Sequence, residues 1–93
     1  MAAVSVFDGE DEVVARANAT EYGLVAYVVT ENGARQMRLG RALEYGMVAV
    51  NRVKITGAPV PFGGVKQSGL GREGSRHGIE AFSDLKYLCL DAA

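Results

Sequence analysis

Tryptophan is absent from the chain, and cysteine and histidine occur once each, as Cys89 and His77. A lone cysteine excludes an intramolecular disulfide, and one cysteine with one histidine excludes the usual zinc spacings. A reducing, cytoplasmic setting is expected. Proline is scarce, with two in 93 residues, while 48 % of the chain is hydrophobic, which argues against a disordered or low-complexity protein. Neither sign of charge is in excess, since ten Lys and Arg face eleven Asp and Glu, so no nucleic-acid partner is expected. No apolar run approaches the ~20 residues needed to span a bilayer, and the start does not resemble a secretory leader. No membrane association is expected. Asn18-Ala19-Thr20 fits the glycosylation sequon, but without a leader it reads as ordinary surface sequence. A chain this short buries roughly 60 to 65 % of the surface its unfolded form exposes, so one domain is the ceiling and closing its core calls for a partner.

The apolar pattern reads as α/β. Ala3 to Phe7 is a short apolar run, followed by Asp8 as a helix cap and by Glu10, Asp11 and Glu12 in the first turn of a helix to about Ala19. Leu24 to Val29 is almost continuously apolar and valine-rich, the pattern of a strand covered on both faces in a parallel sheet. Thr30 is placed to cap a second helix carrying Met37, Leu39 and Leu43, with Gly46 at its exit, and Met47 to Val50 reads as a third strand. A βαβαβ parallel unit is therefore predicted. Asn51 to Gly74 holds both prolines and six of the twelve glycines, which marks a long ordered loop. Ser75 then caps a short helix carrying Ile79 and Phe82, and Leu85 to Leu90 reads as a final strand. Leu85, Tyr87 and Cys89 point one way along it and Leu88 and Leu90 the other, so both faces want cover and self-association through this strand is expected.

Few residues carry chemistry by type and spacing. Gly69-Leu70-Gly71-Arg72-Glu73-Gly74 fits G-x-G-x-x-G, but the dinucleotide fingerprint needs a buried strand immediately before it, and Pro61 to Ser68 does not supply one. No cofactor site and no metal site is assigned. His77 has no evident catalytic partner, and Cys89 within an apolar strand reads as a small hydrophobe. Arg35, Arg38 and Arg41 recur on one helix as a solvated face. Thr56 is a hydroxyl within the long loop, either near a ligand or on a surface turn, and Lys66 is either an anion contact or a packing residue.

The run Pro61-Phe62-Gly63-Gly64-Val65-Lys66-Gln67-Ser68-Gly69-Leu70-Gly71-Arg72-Glu73-Gly74 resembles the C-terminal signature of the NAD(P)-dependent aldehyde dehydrogenases. Ala17 to Leu24, Leu43 to Asn51, Gly78-Ile79-Glu80 and Leu85 to Cys89 follow in matching order, so the resemblance covers nearly all 93 residues as a single partial domain. Val65 to Gly74 and Lys86-Tyr87-Leu88-Cys89 are most similar to the succinate-semialdehyde branch. The resemblance implies only the last fifth or so of such an enzyme. The family's cysteine nucleophile, glutamate base and cofactor-binding Rossmann domain have no counterpart here, and Cys89 matches a strand position. It further implies that Thr56 and Phe62 line the aldehyde channel, that Arg72 and Asp84 interact near a subunit interface, and that the final strand joins an intersubunit sheet, with Leu85, Leu88 and Leu90 covered there. Arg52-Val53-Lys54 departs from the small or apolar residues of that branch, which leaves the parent's substrate open.

Two readings follow. The chain is the C-terminal part of an aldehyde dehydrogenase, inactive alone and without a cofactor of its own, or it is a free-standing module that forms a homodimer or higher assembly. A third, a small independent enzyme built on Cys89 or His77, lacks any partner group that the sequence singles out.

Overall fold

A computed structural model describes residues 1–91, so the last two residues of the predicted partial domain lie outside the described residues. The acidic run starts helix α1, Glu10–Asn18, but Asp8 is not its cap. The first helical bond runs from Val13 N to the Gly9 carbonyl, which makes Gly9 the N-cap, while the Asp8 N–H donates to the Glu12 carboxylate at 3.1 Å. That bond ties down the residue before the cap, and no side chain caps the first-turn N–H groups themselves. Two residues of strand β1, Tyr22–Gly23, precede β2, Val25–Val28.

Helix α2, Gly33–Ala42, begins two residues later than a Thr30 cap would place it. Asn32 is the cap, accepting from Arg35 N at 2.9 Å, and the Thr30 hydroxyl accepts from Asn32 N instead. Strand β3, Met47–Val50, then pairs in parallel with β2 over Val25–Met47 to Val28–Val50, as a β–helix–β crossover requires. The long glycine-rich stretch is not wholly loop. Val65–Lys66 forms β4, antiparallel to β1, and a 3₁₀ helix, Arg76–Phe82, follows with the Ser75 hydroxyl accepting from His77 N.

The outer strands of the predicted unit are absent among the described residues. Neither Ala3–Phe7 nor Leu85–Leu90 forms a strand, because no other segment comes alongside to complete a ladder. The first is held beside α1 by Arg16 Nη1, which donates to the Val6 carbonyl at 2.8 Å. The second leaves Leu85, Leu88 and Leu90 in solvent. Nor is β2 covered on both faces, since Tyr27 is exposed and its neighbours are half-buried.

Leu39 and Ala49 are the buried core side chains. The Cα radius of gyration is 18.0 Å, against the ~12 Å of a closed domain of this length. An apolar seam of about 520 Å³ stays open between α1, β2 and α2, bordered by Phe7, Val13, Val28, Leu39 and Leu43. What closes locally is polar. The Asn18 amide donates to the Ala42 carbonyl and accepts from Glu44 N, both at 2.9 Å, and the Tyr45 hydroxyl donates to the Ala17 carbonyl at 2.7 Å. These bonds lash the ends of the two helices together, and they give the sequon residue a structural task.

Candidate functional site

In sheets of this kind ligands sit beyond the C-terminal ends of the parallel strands, and the loop leaving β3 lies there. Its first residue, Asn51, has a left-handed φ of 53°. Residues 52 to 62 then wall two open clefts. One, of about 340 Å³, is bordered by β3, Arg52, Ile55, Thr56, Val60 and Pro61. The other, of about 200 Å³, is bordered by Thr56, Gly57, Val60, Phe62, Glu73 and Gly74. Thr56 borders both, and it shares the smaller one with Phe62. The two residues singled out from sequence are thus brought together.

The wall is held by backbone pairing. Phe62 and Glu73 exchange N–H···O bonds of 2.8 and 2.7 Å, and Ser75 N donates to the Ala58 carbonyl at 2.8 Å. Gly74, with φ 70°, lies so close that a Cβ there would stand 2.9 Å from the Val60 oxygen. Beneath it, Gly46 packs on Gly63 and Gly64, where a Cβ would come within 2.6 Å of the Gly64 Cα. Arg72 Nη1 donates to the carbonyls of Gly64 and Gly71 at 2.8 and 2.7 Å. It closes this turn, and no ion pair with Asp84 forms among the described residues.

Lys66 is a packing residue here. Its Nζ donates to the carbonyls of Asn18 and Thr20 and pairs with Glu44 at 2.9 Å, which fastens the glycine-rich segment to the helix ends. Ser68 does the same from the other side, its hydroxyl accepting from Gly23 N at 2.9 Å. Arg35 and Arg38 are not merely a solvated face, because both bind Glu10 across the two helices and hold its carboxyl down at about 2, the Arg38 hydrogen bond contributing most. Cys89 is exposed, contrary to the buried hydrophobe expected, and the neighbouring thiol holds the Tyr87 hydroxyl above its ordinary value. His77 faces Glu80 one turn on, at 3.4 Å.

The profile of the aldehyde dehydrogenase family matches residues 1–88. The chain belongs to this family. An aspartate-semialdehyde dehydrogenase (non-phosphorylating) of Halomonas elongata is 59 % identical over 92 residues, covering 99 % of the chain and 19 % of the relative. An NADP(+) succinate-semialdehyde dehydrogenase of Escherichia coli is 50 % identical over 84 residues, 90 % of the chain and 17 % of the relative. The crystal structure of succinate-semialdehyde dehydrogenase from Burkholderia pseudomallei superposes with a TM-score of 0.85 at 52 % identity, over 90 % of the chain and 17 % of that structure. The chain spans about one-fifth of the length of the curated relatives it matches.

Aldehyde dehydrogenases use NAD or NADP, and the chain's G-x-G-x-x-G does not fit a dinucleotide. Gly69, Gly71 and Gly74 all take positive φ, but they follow a two-residue strand and lead into a 3₁₀ helix in whose first turn the His77 N–H already donates to the Ser75 hydroxyl. Of the three, Gly74 serves close backbone approach against Val60, while Gly69 and Gly71 have room for a Cβ and supply only the left-handed turns.

Proposed function

We propose that these residues act as the C-terminal part of an NAD(P)-dependent aldehyde dehydrogenase and that they have no turnover alone. In this reading the parent oxidises an aldehyde to the carboxylate, with succinate semialdehyde among the candidate substrates. Thr56 and Phe62 form one wall of the aldehyde channel. Arg72 braces the turn beneath that wall, and Asp84 lies near a subunit interface. The observation that carries the reading is the cleft Thr56 and Phe62 share beyond β3, within a chain that matches the family through residue 88.

The open seam and the expanded radius suit a partial domain whose remaining walls come from elsewhere in the enzyme. So do the unpaired runs Ala3–Phe7 and Leu85–Leu90, which in this reading complete the βαβαβ sheet and an intersubunit sheet. A cytoplasmic setting suits the exposed thiol of Cys89. The second reading, a self-associating module derived from the same fold, is favoured by Leu85, Leu88 and Leu90 standing in solvent.

The test has two arms. The chain alone, given succinate semialdehyde with NAD or NADP, is expected to show no turnover, and turnover abolished by Cys89→Ala would overturn the proposal. Grafted in place of the matched segment of the Escherichia coli relative, the chain is expected to support NADP-dependent oxidation. A folded but inactive graft speaks for the module instead.

A further inference from the structure

At the point where the site loop leaves the sheet, one side chain ties two strand ends together. The Asn51 amide accepts from Thr30 N at 2.9 Å and donates to the Thr30 carbonyl at 2.8 Å, while its own N–H donates to the Val28 carbonyl at 2.8 Å. The amide thus adds one more ladder pair beyond the last residues of β2 and β3, using a side chain where backbone pairing has ended. Its anchor is itself held, because Gln36 Nε2 on α2 donates to the same Thr30 carbonyl at 2.8 Å and Thr30 Oγ1 accepts from Asn32, the α2 cap. The left-handed φ of 53° turns the chain sharply away from the sheet at the next residue. Asparagine tolerates that conformation better than most residues other than glycine.

We infer that Asn51 is a positioning residue, setting the direction in which Arg52 to Val60 departs and so the place of Thr56 on the cleft wall. This rests on the reading of that wall as an aldehyde channel. Residues 52 to 56 make no backbone–backbone hydrogen bond outside regular elements, and apart from the local bond from Arg52 Nε to the Lys54 carbonyl at 2.8 Å the segment is constrained at its two ends, by the departure angle at Asn51 and by the Val60–Gly57 turn with the Ser75–Ala58 bond. A rotation at Asn51 shifts the path that leads to Thr56, whereas the sheet and the glycine-rich segment are held by contacts of their own.

The graft carries the test. Asn51→Ala removes both amide bonds and strains the left-handed φ. Asn51→Gly removes the bonds but adopts that φ freely, and so remains the deciding variant should the alanine form fail to fold. The expected result is an aldehyde KM raised about tenfold or more in Asn51→Ala, and less in Asn51→Gly, with the KM for NADP unchanged. Loss of kcat alone, with both KM values intact, would assign the residue to general stability and overturn the inference, as would unchanged kinetics in both variants. A graft inactive before any substitution removes the functional reading, and this inference with it.

Discussion

Glu10 and Arg38 meet through two hydrogen bonds, Nε to Oε1 at 2.7 Å and Nη2 to Oε2 at 2.9 Å, joining the start of α1 to the middle of α2. Arg35 Nε adds a third at 3.2 Å. Since α1 contributes no buried residue, this contact holds it in place together with the Asn18 amide, the Tyr45 hydroxyl and Lys66.

The Glu10 carboxyl is held at about 2 in the folded chain against its ordinary 4.5. A depressed carboxylate contributes stability above its unfolded value and loses it as pH falls toward the folded one. Helix content followed by circular dichroism is therefore expected to fall between about 4.5 and about 2 by more in the native chain than in Glu10→Gln. At neutral pH the variant is expected to be the less helical of the two. Acid profiles that superpose would mean the pair does not tether α1.

The tail predicts assembly. Covering Leu85, Leu88 and Leu90 is worth ~1.5 to 3 kcal/mol each, large beside the ~5 to 10 kcal/mol of net stability usual for a small domain. The native chain is expected to sediment as a dimer or larger species, and Leu88→Lys combined with Leu90→Lys to shift it toward monomer with a lower melting temperature. A compact, cooperatively folded monomer of the native chain at micromolar concentration would remove the basis for assembly through this segment.

Two glycines predict opposite outcomes. A Cβ on Gly46 would stand 2.1 Å from the Gly63 carbonyl oxygen, and backbone cannot yield as a side chain does. Gly46→Ala is expected to destabilise the grafted enzyme by more than about 2 kcal/mol. Gly40, inside α2, has nothing within 4 Å, so Gly40→Ala is expected to stabilise by up to ~1 kcal/mol through helix propensity. Denaturation midpoints that move the same way for both would contradict the packing described for Gly46.

Periodicity was informative where an element and its partner both lie in the chain. Val25–Val28, Gly33–Ala42 and Met47–Val50 fall within the predicted segments, since the β2–β3 ladder and its crossover are complete here. It failed for Ala3–Phe7 and Leu85–Leu90 because apolar alternation registers a demand for a partner and not the partner's presence. Cap positions missed by one or two residues: at α2 both Thr30 and Asn32 can accept an N–H and Asn32 caps the helix, while at α1 the cap is Gly9, which has no side chain to signal it. Composition marked 51 to 74 as loop but could not show that Val65–Lys66 pairs with Tyr22–Gly23. Thr56 stood out as a hydroxyl in the long loop, resemblance alone paired it with Phe62 on a channel wall, and their shared cleft is what the fold adds. The structural tasks of Asn18, visible in sequence only as a sequon, and of Asn51 carried no signal, because what distinguishes them is which distant backbone groups their amides reach.

At full extension the nine residues from Ser83 to Asp91 reach ~30 Å, nearly half of the chain's 68 Å longest dimension. The direction of such a lever is set at the fulcrum where the 3₁₀ helix stops. Ser83 is that fulcrum, its N–H donating to the Glu80 carbonyl and its hydroxyl to the Ile79 carbonyl at 3.0 Å. Two bonds at one serine thus set the angle at which this segment leaves the body of the chain.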